Sequence, residues 1–466
     1  MRILTIITAL LIAIMASSCG GSNKPQDVAE APPATISEQS PTASPAESTK
    51  EPTATTPPSP TPTSAPTATP TPEPTPTPTP QPKDIEVIAK GFGQNDKELG
   101  LAFLIKNNQA EQAFKRTKYQ VSIYDDAGEL IGTVSHSIDF ISPGETLGIG
   151  RKVYLEEGVA ADIDVQLVKG RPVPAQDIPL DIVNGTYFPG ENFDLATGIL
   201  KNSGDAPLRD INIFVVAYNE AGEIVGGGAD YVNFVPANSQ TGVISFIAGN
   251  DIKTVEIYPA ITGFTFMERE TPADANAITL VDYGFAQDGR RFVSALLVEN
   301  PNEKFAVENT AIQATAYSKD GIVLGVGKGH VDLLLPGQRL GVSRPIMIVD
   351  ADNIDVAQLD VQLMSGAFVE TEPLPYFTAE DIRYVQKSIF SDVTAQLINP
   401  YGKKFENVLV TAILYNEAGE IIGGGFDYVD VVAADGKTPV EISVKSRGEP
   451  ATIEVYASVS ALSKLE

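Results

Sequence analysis

The sequence predicts an all-β protein: four tandem immunoglobulin-like β-sandwich domains after a disordered Pro/Thr-rich stalk. Three observations predict it. A strand-and-turn segment recurs four times beyond residue 84. Its apolar side chains alternate with a period of two, as they do on the two faces of a strand. Residues 22–83 carry almost no large apolar side chain, and 18 of the chain's 35 prolines fall before residue 84.

The first element is an export signal. Met1-Arg2 precedes an apolar run from Ile3 to Ala16. That run is short for a membrane span and suits the core of a signal peptide. Ala16-Ser17-Ser18-Cys19-Gly20 follows, and Cys19 is the only cysteine among 466 residues. Small residues directly before a Cys resemble the bacterial lipobox, with Ala16 where Leu is usual. The resemblance implies a lipoprotein signal peptide over 1–18, cleavage before Cys19 and lipid attachment to Cys19. The alternative is an uncleaved anchor ending at Cys19. Both readings place the protein at the cell membrane, facing the extracellular side. A lone Cys suits export, because nothing in the chain can mispair with it.

Residues 19–83 form the second element, a lipidated Cys and a disordered Ser/Thr/Pro-rich linker. From Pro70 to Pro82, Thr or Glu, and once Gln81, alternates with Pro. Such a segment cannot bury enough apolar surface to fold. Proline removes backbone donors and fixes φ, which keeps the chain extended. At about 3.1 Å per residue the stalk reaches on the order of 190 Å. The alternative to a spacer is passive disorder.

The repeats come next. Their landmarks are Tyr124, Tyr218, Tyr317 and Tyr415, spaced by 94, 99 and 98 residues. Each Tyr has a Gly four positions later: Gly128, Gly222, Gly321 and Gly419. Each follows an Asn (Asn107, Asn202, Asn300, Asn399) by 17, 16, 17 and 16 residues. That alternation groups repeats one and three as one type and two and four as another. Tyr218–Val232 and Tyr415–Val429 agree at thirteen of fifteen positions. GFGQ from Gly91 matches GFAQ from Gly284. A duplicated two-domain unit accounts for this, with β-sandwich domains expected at 84–171, 172–272, 273–372 and 373–466. The alternative architecture is a small barrel.

Within each repeat the D/N-x-A-G type of turn carries an acid or amide early and a Gly where φ is positive, which is hairpin chemistry. In repeat one, Tyr119, Val121 and Ile123 share one face, with Gln120 and Ser122 opposite. Gln313 and Thr315 hold the second face in repeat three. Polar second faces are expected to be solvated. In repeats two and four the second face carries Phe214 and Val216, and Thr411 and Ile413. That apolar face must be covered, by intramolecular docking or by an external partner. The runs Gly226–Gly228 and Gly423–Gly425 read as bulged edge strands or, alternatively, ligand-binding loops.

The Asn, the alternating strand ending in Tyr-Asp, the Gly turn and the later Pro143-Gly144 resemble the FxLYD-type domain, a small β-sandwich module of bacterial surface proteins. The leading Phe is replaced by Val121, Val215, Ala314 and Ala412, and the Asp becomes Asn219, Ser318 and Asn416. The resemblance implies architecture and no catalysis.

Chemistry is sparse. Lys and Arg number 33 against 60 Asp and Glu, a net charge of −27, which excludes a basic nucleic-acid footprint. With one Cys, two His and no Trp, a disulfide framework, a Cys/His zinc site and a Cys–His nucleophile are excluded or disfavoured. No phosphate loop, G-x-S-x-G elbow or H-E-x-x-H occurs. His136 and His330 align one residue apart and read as surface residues. The weak metal candidates are Asp350, Asp352 and Asp355, oxygen ligands at short spacing without the Gly and distal Glu of an EF-hand. Otherwise they form a solvated turn. Tyr231 and Tyr428 are the best aromatic platforms for a sugar, or else strand residues packed on a neighbour. No catalytic residue and no cofactor is expected.

The sequence therefore points to a non-catalytic, lipid-anchored surface protein. Its partners are the membrane through Cys19 and an extracellular protein or polysaccharide, with no nucleic acid. Its repeats bind a protein or wall polymer or act as a spacer. The alternative is a lipid-anchored solute-binding protein or hydrolase with a site at a domain junction.

Overall fold

A computed structural model describes residues 83–191, 193–349, 355–459 and 463–465. The signal segment, Cys19 and the linker lie outside the described residues, as do Asp350 and Asp352. Every regular element described is a β-strand.

Repeat one has seven: β1 (Ile85–Asn95), β2 (Glu98–Asn107), β3 (Gln112–Tyr124), β4 (Leu130–Ile141), β5 (Thr146–Tyr154), β6 (Asp162–Val168) and β7 (Arg171–Pro174). They form two separate sheets, β1-β2-β5 and β4-β3-β6 with β7 added to β3. The expected apolar face of β3 closes the sandwich: Tyr119, Val121 and Ile123 are buried against Leu101, Phe103 and Ile149.

Repeat two has β8 (Leu180–Phe188), β9 (Asp194–Asn202), β10 (Leu208–Tyr218), β11 (Ile224–Val235), β12 (Ser239–Gly249) and β13 (Thr254–Ala260). Here the layers join into one sheet, β13-β10-β11-β12-β9-β8. The join is the glycine run. Gly226, Gly227 and Gly228 pair with Ala217, Val216 and Val215 on one side and with Gly249, Ala248 and Ile247 on the other. A register shift precedes them between Ala217 and Tyr218, so the bulge is present, but β11 lies inside the sheet and not at its edge.

Repeat three returns to two sheets. β14 (Thr279–Asp288), β15 (Arg291–Glu299) and β18 (Arg339–Met347) form one; β16 (Phe305–Tyr317), β17 (Val323–Leu334), β19 (Gln358–Met364) and β20 (Ala367–Glu370) form the other. Repeat four repeats the joined form through β21 (Thr378–Val385), β22 (Ser391–Ile398), β23 (Phe405–Tyr415), β24 (Ile421–Val432), β25 (Lys437–Ser446), β26 (Thr452–Ser458) and β27 (Lys464–Leu465). The two-type alternation in the sequence is thus an alternation of open and joined sandwiches.

The repeated landmarks have structural causes. Each Asn is buried and its side-chain amide ties the loop after its strand to a distant strand end. Asn300 Nδ2 donates to the Phe305, Leu334 and Leu335 carbonyls at 2.8, 3.1 and 2.9 Å. Asn107, Asn202 and Asn399 make matching bonds. In each turn the residue after the Tyr accepts two backbone N–H groups, as Asn219 Oδ1 does from Ala221 and Glu223 at 3.0 Å. Asp125, Ser318 and Asn416 serve equally, because each offers one oxygen at the same place. Gly128, Gly222, Gly321 and Gly419 hold φ between 76° and 80° there.

Candidate binding sites at the junctions between repeats

The apolar second faces of repeats two and four are covered from within the chain. Phe214 and Val216 in β10, and Thr411 and Ile413 in β23, are all buried. Phe214 joins the core of repeat one beside Leu101 and Ile149. Ile413 packs with Ala295 and Leu297 of repeat three. Burying one such large apolar side chain contributes roughly 2–3 kcal/mol.

Glycines allow this closeness. Gly91 and Gly284, from the matched GFGQ and GFAQ segments, abut the backbone carbonyls of Ile224 and Ile421; a Cβ at either would overlap that carbonyl. Gly148 and Gly341 leave room for the rings of Tyr258 and Tyr456. Sequence reading missed both roles, since nothing local marks what strand lies opposite.

Those rings belong to matched polar groups. Tyr218 and Tyr258 both donate to Glu256 Oε2, at 2.9 and 2.5 Å. Tyr415 and Tyr456 both donate to Glu454 Oε2, at 2.7 and 2.5 Å. Burial, with the shared carboxylate, pushes the Tyr218 phenol up to about 12 and raises the other three as well. All four stay neutral and donate across the ordinary pH range.

A groove of about 620 Å³ opens between repeats one and two, lined in part by Glu145, Asp181, Glu256 and Tyr258. Glu256 is occupied by the two tyrosines. Glu145 accepts the Ser142 N–H at 2.5 Å, and burial raises its pKa.

The junction of repeats two and three overturns one expectation. Gln313 and Thr315 are buried, so the polar second face of repeat three is not solvated, whereas in repeat one Gln120 is exposed and only Ser122 is buried. Gln313 donates to Thr241 and Gly242 N–H donates to Thr315 Oγ1 at 3.0 Å. Leu195 and Ile244 of repeat two enter the core of repeat three. Lys328 reaches back to Asp230 at 2.8 Å and sits 4.4 Å from the Tyr231 ring centroid.

A second cavity, about 280 Å³, lies between repeats three and four. His330, Asp332, Arg344, Thr411, Tyr428 and Ser458 line it together with apolar side chains and Gly329. The Arg344 guanidinium stacks 5.1 Å from the Phe426 ring and donates to the Ser343 carbonyl at 3.1 Å. His330 Nε2 lies 2.8 Å from Asp332 Oδ1, and that hydrogen bond raises the His330 pKa.

Of the sequence candidates, then, Tyr428 and His330 meet at one cavity. Tyr231 serves as the platform for Lys328. His136 lies beside Tyr119, ring centroids 6.1 Å apart. Asp355 is exposed, and its companions Asp350 and Asp352 lie outside the described residues. Among the described residues no group of three His, Cys, Asp or Glu is placed to hold a metal ion.

No protein-family model matches the chain, and no curated protein matches it. Among solved structures, it has 11% identity to a calcium-binding mutant of β-glucuronidase 2 from Bacteroides uniformis, over 50% of this chain and 26% of that one, with a TM-score of 0.12. It has 9% identity to dimeric latent PorU from Porphyromonas gingivalis, over 82% of this chain and 33% of that one, with a TM-score of 0.14. The chain spans no more than a third of either.

Proposed function

We propose that the chain is a non-catalytic surface protein, lipid-anchored through Cys19, whose linker holds four β-sandwich repeats away from the membrane to bind a protein or wall polymer or to act as a spacer. One observation carries the reading. At the matched junctions, Glu256 and Glu454 hold tyrosines of their own repeats, and the rings of Tyr258 and Tyr456 seat against Gly148 and Gly341 of the repeat before, twice over in the same way. The lipobox-like Ala16–Gly20 segment supports the anchor.

The alternative, a solute-binding protein or hydrolase with a junction site, draws support from the groove holding Glu145, Asp181 and Glu256. The test is fractionation of cells grown with labelled palmitate. The wild-type chain is expected in the membrane fraction carrying label, and Cys19→Ala unlabelled in the medium. Retention of unlabelled Cys19→Ala in the membrane defeats the lipid anchor. Protease added to intact cells is expected to release the repeats.

A further inference from the structure

We propose that the cavity between repeats three and four binds a hydroxylated carboxylate of monosaccharide size, a hexuronic acid, with the Arg344 guanidinium seating the carboxylate. This deepens the polymer-binding arm of the function proposed above. Its test reads sugar binding and not membrane attachment, so either can fail alone.

The two matched junctions differ around one arginine. Arg151 and Arg344 occupy the same register, each stacked 5.1 Å from a phenyl ring. At the first junction Arg151 is engaged: its Nε donates to the Tyr119 hydroxyl at 2.9 Å. Repeat three has Ile312 at the place of Tyr119, paired with Gly329 where Tyr119 pairs with His136. Repeat four has Thr411 at the place of Phe214. Two bulky groups, at the places of Tyr119 and His136, are thus replaced by smaller ones, and the ring of Phe214 gives way to Thr411 while Phe426 stands where repeat two has Ala229.

A guanidinium offers five N–H donors in a planar fork. Arg344 uses it once among the described residues, on the Ser343 carbonyl. Burial lowers the Arg344 pKa, yet an arginine remains charged, so a cation faces the cavity. The planar partner that matches such a fork is a carboxylate.

The remainder of the lining suits a hydroxylated body. Thr411 and Ser458 bring hydroxyls, Asp332 stands beside them bonded to His330, and Tyr428 is a partly exposed aromatic. Leu340, Val342 and Leu409 supply an apolar wall. At about 280 Å³ the space falls just below the range of pockets for drug-sized ligands, which begins near 300 Å³, and so suits one ring.

The test titrates the full chain with D-galacturonate, D-galactose and inorganic phosphate, read by calorimetry and ligand-observed NMR. Galacturonate is expected to bind and galactose not. Arg344→Met is expected to weaken galacturonate at least about tenfold, the loss of one charge-assisted pair. The double variant Thr411→Phe with Phe426→Ala rebuilds the first junction's packing in the second. It should regain most of the stability that Phe426→Ala alone loses, and lose the sugar. Arg151→Met should bind as wild type does. Failure of the wild-type chain to bind galacturonate overturns the proposal, as does equal binding by Arg344→Met or by the double variant. Phosphate or galactose bound as well as galacturonate overturns the assignment of ligand.

Discussion

Arg344 and Phe426 face each other across the boundary between repeats three and four, guanidinium over ring at 5.1 Å. Arg151 does the same with Phe214. The two phenyl rings stand on different strands. Phe214 is on β10, paired with Ala229 on β11; at the same register Thr411 is on β23, paired with Phe426 on β24. The ring has crossed the ladder, and the arginine has kept a ring beneath it.

A compensating exchange follows from that geometry. Phe426→Ala should lower stability by about 1–2 kcal/mol, from lost cation–π and packing contacts. Adding Thr411→Phe should restore more than half of it. Urea melts of the single and double variants check this; a double variant no better than the single would show that the two positions do not substitute for each other.

At Gly284, a side chain would have to displace the backbone of Ile421. Gly284→Ala should therefore cost about 1–3 kcal/mol, the range for overpacking. Gly448, with open space around its missing Cβ, is the matched control, and Gly448→Ala should be nearly neutral. Denaturant midpoints of the two variants decide the matter.

Each long central strand bends at one residue with positive φ: Arg116 at 59°, Asp210 at 48°, Asn309 at 55° and Asn407 at 54°. Asn and Asp tolerate that region far better than Arg. Arg116 is exposed. Arg116→Asn should raise stability by about 0.5–1 kcal/mol, and Asn309→Arg should lower it by a similar amount. Thermal melting of both variants reads the two signs.

The two histidines are the chain's only ones and should titrate on opposite sides of the usual value. The Asp332 hydrogen bond raises His330; burial, aided by Arg151, lowers His136. A raised folded pKa means that His330 contributes stability below about 6.5 and loses it as pH rises through its folded value. A lowered one means that His136 costs stability as pH falls through about 6.5. Imidazole resonances followed by NMR should show the split. His330→Gln should remove the first effect and His136→Gln the second in melts across that range.

Much of this is legible in the sequence alone. The Asx-type turns, the buried face of Tyr119, Val121 and Ile123, and the need to cover Phe214 and Ile413 all follow from residue type and a period of two. What was not legible depends on which strand lies opposite. Gln313 and Thr315 look like solvated residues, and only the arrival of Thr241 and Gly242 buries them. The glycine runs look like edge features, yet Gly226–Gly228 sits between two strands. The cavity beside Arg344 needs Gly329 and Thr411 to meet, and these lie on two different repeats.

The surface by which repeat two receives repeat three is not kept in repeat four. Leu195 and Ile244 of repeat two correspond in register to Asp392 and Glu441 of repeat four, and Gly242 corresponds to Pro439. Lys387 pairs with both acids. A copy of repeat three offered to this face of repeat four would meet carboxylates, an ammonium group and a pyrrolidine ring. The greasy socket is thus private to repeat two, and swapping the order of the modules would require those positions to be rewritten first.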